Sequence, residues 1–271
     1  MKKVLDEFFS IEKIEYFGVL PYSLCKETNS AIMKRESFTP KSAIVYLVPY
    51  YSGETENISR YAAAKDYHIC ISEINSRLAA ALKNEFPGSS QKGYGDHSPI
   101  DERLAAANLG LGIFGDNGLL INEKYGSYVF IADLVTDIMP EHLGELRFFE
   151  PRHCESCGAC RAACPTGILR GEGEECLSAI TQKKGELRES DVRLMKEYNT
   201  VWGCDLCQSS CPHNSDPEKS PISFFSEDLI PRLDIDILES LSDAEFSERA
   251  FAWRKKKTVE RNLLALYGKS E

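Results

Sequence analysis

The feature that most restricts the fold of this chain is a dense run of cysteines in the sequence RHCESCGACRAACPTGIL, residues 152–169. Its four cysteines, Cys154, Cys157, Cys160 and Cys164, follow the spacing C-x2-C-x2-C-x3-C-P. This spacing is typical of ferredoxin-type [4Fe–4S] sites, in which the first three cysteines bind one cluster and the fourth binds another. The chain must therefore fold so that distant thiolates meet at two points.

A second run, WGCDLCQSSCPHN, contains Cys204, Cys207 and Cys211 and also ends in Cys-Pro. Two [4Fe–4S] clusters need eight thiolates, whereas the two runs supply seven. Of the remaining cysteines only Cys176 lies between the runs, so counting and proximity nominate it as the eighth. One predicted ligand set is Cys154, Cys157, Cys160 and Cys211, and the other is Cys204, Cys207, Cys164 and Cys176.

A pair of zinc sites is the alternative, because C-x2-C pairs also bind zinc. Zinc sites rarely add a third cysteine at the same spacing and a Cys-Pro after it, so the pattern favours iron–sulfur clusters. The prolines after Cys164 and Cys211 keep the preceding cysteine extended, which directs it away from its own triplet. Cys25 and Cys70 lie far upstream, and we interpret them as small buried hydrophobic side chains.

The charge balance restricts the possible partners. A net charge of −10 and a pI near 5.2 argue against binding nucleic acid over the whole surface. The basic run RKKK at 254–257 is either a solvated helix face or a phosphate-contacting patch. No apolar run approaches the roughly 18 residues of a membrane span, and MKKVLDEFFSIEKIEYF does not resemble a signal peptide. We expect a cytoplasmic protein without a membrane partner, whose cysteines are ligands rather than disulfides.

The region before the cysteine runs predicts a mixture of α and β structure. KSAIVYLVPYYSG predicts a buried strand followed by a turn, and the segment from Ile58 to Phe86 predicts one long helix. PIDERLAAANLG predicts a shorter helix that has Pro99 in its first turn, Ser98 as its cap and Gly110 at its end. GLLIN and YVFIADLVTD predict two strands that pair with each other.

Two short motifs in this region have competing interpretations. GLGIFG at 110–115 matches G-x-G-x-x-G, but a helix precedes it and a strand follows, which is the reverse of a dinucleotide site, although Asp133 has a suitable spacing. Its glycines are better explained by close approach of the backbone to a flat ligand or a neighbouring element. In YGDHSPIDER, Asp96 is either a helix cap or, since Ser98 can cap, a carboxylic acid that protonates a leaving oxygen.

Taken together, these segments resemble the epoxyqueuosine reductases, cobalamin- and iron–sulfur-dependent enzymes of queuosine tRNA modification. RYAAAKDYH is similar to the family's R-Y-A-x-G-x-D-Y-H stretch, and GDHSPIDERLAAANLGLGIFGDNGLLINEKYGS is similar to its D-T-G-P-x-x-E-R to G-S segment. CESCGACRAACPTGIL, ECLSAIT and WGCDLCQSSCPHN resemble its cluster cysteines, and AFAWRKKKTVERNLLALYG resembles its closing helix. The resemblance covers nearly the whole chain.

The resemblance implies an α+β protein in three parts. Residues 1–148 would form an α/β cobalamin-binding-type domain related to the reductive dehalogenases, residues 149–217 a ferredoxin-like double [4Fe–4S] module, and residues 218–271 a helical segment. It also implies an oxidoreductase that reduces epoxyqueuosine to queuosine in tRNA, via Co(I) and two clusters fed by an external low-potential donor. The alternatives are a two-cluster electron-transfer protein and a related reductase with a different, non-tRNA substrate.

The same resemblance assigns roles to individual residues. Asp96 stands where the family has its proton-donating aspartate. The cofactor-binding candidates are Arg60, Tyr67, His68, Ser98, Phe114, Gly115, Asn117, Ser127 and Tyr128. The chain departs from the family pattern at His97-Ser98, where Thr-Gly is usual, and at Asp116, where a lysine is usual. It also ends at YGKSE without the HEAT-type repeats of longer members, so we expect weaker tRNA binding.

Overall fold

The computed structural model describes residues 3–268, which form two compact units. Unit 1 consists of Met1–Pro49 and His68–Ser156, and unit 2 consists of Tyr50–Tyr67 and Cys157–Glu271. The units differ from the predicted three-domain division in that residues 50–67 group with the cysteine-rich region. The boundaries after residues 148 and 217 stay a prediction. No helix within residues 3–268 is long and apolar enough to cross a membrane.

Unit 1 contains a four-stranded antiparallel sheet and a short hairpin. The strands are β1 (Phe17–Pro21), β2 (Ser42–Pro49), β3 (Gln91–Gly95), β4 (Ile113–Phe114), β5 (Leu120–Ile121) and β6 (Val129–Thr136). The order in the sheet is β1-β2-β6-β3, and β4 pairs with β5. Strand β2, predicted from KSAIVYLVPYYSG, is confirmed, and it is buried along its whole length because it lies between β1 and β6.

Helices cover both faces of this sheet. They are α1 (Lys3–Ile11), α2 (Ser30–Met33), α3 (Tyr67–Glu85), α4 (Glu102–Asn108) and α5 (Pro140–Leu143). Small side chains of α4, among them Ala105 and Ala106, pack with Val45 and Val135 on one face. On the other face the Tyr46 hydroxyl donates a hydrogen bond of 3.0 Å to Asn75 Oδ1 of α3. A helix is thus fixed on each side of the central strands.

The long helix predicted from Ile58 to Phe86 is wrong in its first part, since α3 begins at Tyr67. Ile58 forms a β-bridge with Trp202 in unit 2, and Arg60–Ala62 is a single 3-10 turn. The Ser59 N–H donates to the Trp202 carbonyl oxygen at 2.7 Å, so this backbone is already bonded outside a helix. The apolar spacing in this segment reflects burial against Trp202 rather than a helical face.

The predicted start of the shorter helix is also wrong. Helix α4 begins at Glu102 and is capped by Asp101, whose Oδ1 accepts a hydrogen bond of 3.2 Å from the Leu104 N–H. Ser98 lies outside the helix, and its hydroxyl oxygen accepts from the Ile100 N–H instead. The predicted end at Gly110 is confirmed by its φ of 72°, a left-handed conformation that suits glycine.

The two strands predicted to pair with each other do so with other partners. β5, from GLLIN, pairs with β4, whereas β6 pairs with β2 and β3. The β4–β5 hairpin requires a glycine at position 112, since a Cβ there would lie 2.7 Å from the Ile121 carbonyl oxygen. The order of helix, GLGIFG and strand is confirmed, and this glycine approaches a neighbouring strand.

Unit 2 is built of short helices and turns. They are α6 (Ala159–Ala163), α7 (Leu177–Thr181), α8 (Glu189–Glu197), α9 (Leu206–Ser209), α10 (Ile235–Ser240), α11 (Asp243–Ser247) and α12 (Lys256–Tyr267). Trp202 and Phe251 are among the largest side chains in its core. The buried Asn262 amide of α12 donates to the Thr181 and Val201 carbonyl oxygens at 2.7 and 2.8 Å. The C-terminal helix is therefore bonded directly to the cysteine-bearing region.

Candidate functional site

Four cysteines from three stretches of the chain meet in unit 2. Cys164 follows α6, Cys176 precedes α7, and Cys204 and Cys207 flank the start of α9. Cys204 is close enough to Cys164 and Cys176 for their charges to interact, and Cys207 is close enough to Cys176 and Cys204. Cys164, Cys176, Cys204 and Cys207 are the four cysteines that the sequence assigns to one cluster. Cys207 also interacts with Cys160, which the sequence assigns to the other. Their assignment as ligands stays a prediction.

The thiols of this group are in a setting that disfavours free thiolates. Burial, together with the charges of neighbouring cysteines and of Asp205, raises the pKa of Cys204 to about 11 and of Cys207 to about 12. Bound iron removes such a penalty because a coordinating thiol is deprotonated by the metal. In Cys164, burial acts to raise the pKa, but N–H donors of Leu169, Thr166 and Ile168 lower it overall. The donor set therefore fits an iron–sulfur cluster.

Within residues 3–268 no group of three or more His, Cys, Asp or Glu side chains is arranged to hold one metal ion. A [4Fe–4S] cluster makes a different demand, because each of its cysteines binds a separate iron. The thiols of Cys164, Cys176, Cys204 and Cys207 are close enough to interact without converging on one point, which is compatible with each binding a separate iron.

Asp205, between the two cysteines of the C-D-L-C sequence, fixes the position of this loop. Its carboxylate accepts hydrogen bonds from the Arg60 N–H at 2.7 Å, from the Arg60 guanidinium at 3.3 Å and from the Ser59 hydroxyl. Arg60 also pairs with Glu54. The structure thus places the predicted cofactor-binding Arg60 in an ion pair beside Cys204. Sequence reasoning missed the role of Asp205 in fixing this loop. The signal available was an acidic residue between two predicted ligand cysteines.

The first cysteine of the run lies in unit 1, against β4. The Cys154 N–H donates to the Phe114 carbonyl oxygen at 2.9 Å, and the Phe114 N–H donates to the Arg152 carbonyl oxygen at 2.8 Å. The Asp116 N–H donates to Cys154 Sγ at 3.4 Å. Hydrogen bonds to sulfur are one of the factors that set cluster potentials. The segment predicted to cradle a corrin therefore also contacts a predicted cluster ligand.

Asp96 and His68 are brought together by the structure. Asp96 follows β3 in a loop, with a φ of 73°, and its Oδ2 lies 3.5 Å from His68 Nε2 near the start of α3. Both side chains are about half exposed, at 52% and 49%. Because Asp101 caps α4, Asp96 is not the cap, and the first interpretation of this residue is wrong.

A cavity of about 400 Å³ lies beside this pair, between α3 and β3. It is lined by His68, Ile71, Asn75 and the β3 residues through Gly95. A larger cavity of about 780 Å³ lies along β1 and contains none of the predicted site residues. The smaller cavity is therefore the better candidate for a ligand of the Asp96–His68 pair.

The remaining cofactor-binding candidates differ in their surroundings. Asn117 Oδ1 accepts from the Leu119 N–H at 3.2 Å, while its buried Nδ2 has no hydrogen-bond partner in the described residues. A buried donor without a partner is costly, so Asn117 fits a ligand that offers a carbonyl oxygen. Ser127 and Tyr128 are packed in the interior, at 3% and 2% exposure, and Tyr67 contacts Tyr61 edge-on. Corrin contacts by these residues, by Phe114 and by Gly115 stay predictions.

Two further acids near Asp96 were missed as site residues. Ser98, predicted to bind the cofactor, is buried near Asp133 of β6, and Glu102 of α4 lies close to both Asp96 and Asp133. The signal in the sequence was an acid inside the apolar strand YVFIADLVTD. The spacing of Asp133 was noted only for a dinucleotide motif that does not apply.

Comparison with known proteins gives two family models. Residues 19–96 match the model described as epoxyqueuosine reductase QueG, DUF1730, and residues 153–214 match a 4Fe-4S double cluster binding domain. The second match covers every predicted cluster cysteine. The double [4Fe–4S] module predicted from the cysteine spacing is confirmed.

Curated relatives and solved structures agree with these matches. An epoxyqueuosine reductase of Gloeobacter violaceus is 32% identical over 76% of this chain and 68% of its own length. That of Staphylococcus aureus is 33% identical over 77% of this chain, which spans only 56% of the relative. A crystal structure of epoxyqueuosine reductase with a tRNA-Tyr epoxyqueuosine-modified stem loop has a TM-score of 0.75 at 23% identity, covering 97% of this chain and 80% of the other. The predicted fold class is confirmed.

The assignment of Cys176 can be tested by counting iron. We expect the Cys176→Ala variant, reconstituted anaerobically with iron and sulfide, to fall from about eight to about four irons per chain, because one cluster loses a ligand. The control is Cys25→Ala, a half-buried thiol outside the ligand set, which should keep the wild-type iron content. Full iron content in Cys176→Ala would show that another residue completes the cluster.

Proposed function

The chain belongs to the epoxyqueuosine reductase family, and from this we propose that it reduces epoxyqueuosine to queuosine in tRNA. The reaction consumes two electrons and two protons; both epoxide carbon–oxygen bonds break, an alkene forms, and the oxygen leaves as water. The observation that carries the proposal is the exposed Asp96–His68 pair beside a cavity, in a chain that also has a double-cluster module. A simple electron carrier needs no such pair.

Two kinds of cofactor belong to this proposal. When bound, cobalamin and the two [4Fe–4S] clusters supply the reducing metal centre and the electrons, which come from an external low-potential donor. The eight predicted cysteines would hold the clusters. Asn117 Nδ2, a buried donor without a partner, would hold an amide carbonyl of the corrin. Phe114 and Gly115 in the same segment would provide the backbone that lies along it.

Asp96 supplies the proton that the leaving oxygen needs. An oxygen that departs from carbon without a proton is a poor leaving group, and a positioned carboxylic acid removes that difficulty. His68, at 3.5 Å, orients the Asp96 carboxyl. Since the pair is half exposed, it can reach a nucleoside that is presented on a large RNA.

A basic segment at the start of α12 supports RNA as the partner. The guanidinium of Arg254 lies 3.8 Å from the ring centroid of Trp253, which is 56% exposed. Lys255 and Lys257 are exposed as well. An exposed indole beside cations is suited to stacking on a base and contacting phosphates. This favours the phosphate-contacting interpretation of RKKK over a merely solvated helix face.

Turnover tests the reaction and the role of Asp96. We expect the wild type, loaded with both cofactors and given a low-potential reductant, to convert epoxyqueuosine in an anticodon stem loop, with loss of one oxygen measured by nucleoside mass spectrometry. Asp96→Asn should be slower by about 100-fold or more, because it cannot donate the proton, while it retains its iron and cobalt. Glu85→Gln, an exposed acid on the same unit, is the control. No conversion by the fully loaded wild type would contradict the proposed function.

The salt dependence of RNA binding tests the basic segment. Replacing Lys255 and Lys257 together by alanine should flatten the plot of log affinity against log salt by roughly 1.4–1.8, since two phosphate contacts are lost. Fluorescence anisotropy with the stem loop measures this slope. Replacing Lys83 and Lys196, which are also exposed, removes the same charge and should leave the slope nearly unchanged. Equal slopes in both double variants would place the RNA elsewhere.

A further inference from the structure

A buried acid without a partner lies in the middle of the unit 1 sheet. Asp133 is in the central strand β6, in register with Val45 of β2 and Tyr94 of β3. Its neighbours at alternate positions, Ile131 and Val135, belong to the apolar cluster that packs against α4. Asp133 is 0% exposed, and neither of its carboxyl oxygens has a hydrogen-bond partner within residues 3–268.

A second acid connects Asp133 to the exposed loop. Glu102, in the first turn of α4, has a buried Oε1 without a hydrogen-bond partner in the described structure. The Asp96 N–H lies near its carboxyl and partly offsets the rise in the pKa of Glu102. It is also close enough to the carboxyls of Asp133 and Asp96 for their charges to interact. The three acids thus form a series from the centre of the sheet to the surface.

The surroundings of this series contain little positive charge. Cys25 and Tyr94 lie near Asp133, and the charge of Asp133 also acts on Tyr46 on the other face of the sheet. The Ser98 hydroxyl is near Asp133 without reaching hydrogen-bonding geometry. Asp101 faces Glu102, and His68 faces Asp96. Lys26 pairs with Asp101 at 3.3 Å. Among the groups named here that face the three acids directly, His68 is the one that can become a cation, and it lies at the exposed end.

Acids whose carboxyl oxygens are buried in such surroundings keep their protons to a higher pH than exposed acids do. Burial raises the pKa of Asp133 to about 7, and Ser98 lowers it only in part. Burial, followed by the charges of Asp133 and Asp96, raises the pKa of Glu102 to about 8. An ionised carboxylate without a partner is costly in an apolar interior. The unpartnered carboxyl oxygens of these acids and their raised pKa values therefore point to the same protonated state.

We propose that Glu102 and Asp133 form a buried proton-holding pair, in which Glu102 positions the Asp96 loop and restores the proton that Asp96 gives to substrate. This role rests on the proposed function. After Asp96 has protonated the leaving oxygen, the Glu102 O–H bond breaks and an Asp96 O–H bond forms. The negative charge then lies on Glu102 beside Asp133, until solvent returns a proton. No electrons move in this step, and Glu102 is a positioning residue because it acts through Asp96.

The pair predicts how stability depends on pH, even without cofactors. In the unfolded chain these acids have a pKa near 4. In the folded protein the pKa is about 7 for Asp133 and about 8 for Glu102. Between these values the folded protein holds protons that the unfolded chain releases, so stability falls as pH rises through this window. For each acid, the unfolding equilibrium constant should rise by up to about tenfold for every unit by which the pH increases in this window.

Denaturant unfolding between about pH 5 and pH 7 measures this contribution. We expect Asp133→Asn and Glu102→Gln each to reduce the slope of log unfolding constant against pH by about one, because one retained proton is lost. Glu85→Gln, an exposed acid, should leave the slope unchanged. If both variants keep the wild-type slope, the acids are ionised in the fold and the proposal is overturned. Glu102 lies in a helix turn, so its variant remains informative if Asp133→Asn does not fold.

The pH profile of turnover tests the return of the proton. The wild-type rate should fall as pH rises from about 7 to 8, where Glu102 loses its proton. Glu102→Gln keeps the size and shape of the side chain but has no acidic proton to give, so we expect a roughly tenfold lower rate at pH 7 and no fall over this range. A wild-type profile in Glu102→Gln would overturn the proton return. Altered stability slopes without any turnover in the wild type would instead contradict the proposed function and leave the proton-holding pair standing.

Discussion

The burial of closely placed cysteine thiols, which disfavours their thiolates and is reinforced by the charges of neighbouring cysteines, is the constraint around which the cysteine-bearing part of unit 2 is organised. Cys164, Cys176, Cys204 and Cys207 come from separate stretches of chain and are held near one another by turns and short helices. Such a loop-rich region gains little from regular secondary structure, and metal binding contributes directly to the folding of sites of this kind. The contacts of Asp205 and Asn262 fix the backbone on either side of the cysteines.

The two units stabilise a buried acid in different ways. In unit 2 burial raises the pKa of Asp205, and hydrogen bonds from Arg60 and Ser59 oppose that rise. In unit 1 neither carboxyl oxygen of Asp133 has a hydrogen-bond partner within residues 3–268, so this acid avoids a buried charge by keeping its proton. The first arrangement fixes a loop, and the second stores a proton. This contrast explains why one acid fits a structural role and the other a chemical one.

The sequence predicted the features that depend on local pattern or on counting. Cysteine spacing led to the double-cluster module, and the number of ligands required by two clusters led to Cys176. An apolar β-branched run identified β2, and Gly110 marked the end of α4. Sequence reasoning failed where distant contacts decide the outcome. The backbone after Ile58 is hydrogen-bonded to Trp202 rather than within a helix. The properties of Asp133 arise from its burial in the fold, which the identity of the residue alone does not predict.

The proposed chemistry requires that one chain bind two clusters and a corrin together. The wild type can be reconstituted anaerobically with iron, sulfide and cobalamin, desalted to remove unbound material, and analysed for both metals. We expect about eight irons and one cobalt per chain, from the cysteines of two [4Fe–4S] clusters and one bound cobalamin. About eight irons without retained cobalt would contradict the proposed chemistry and would leave a two-cluster electron carrier or a reductase that works without a corrin.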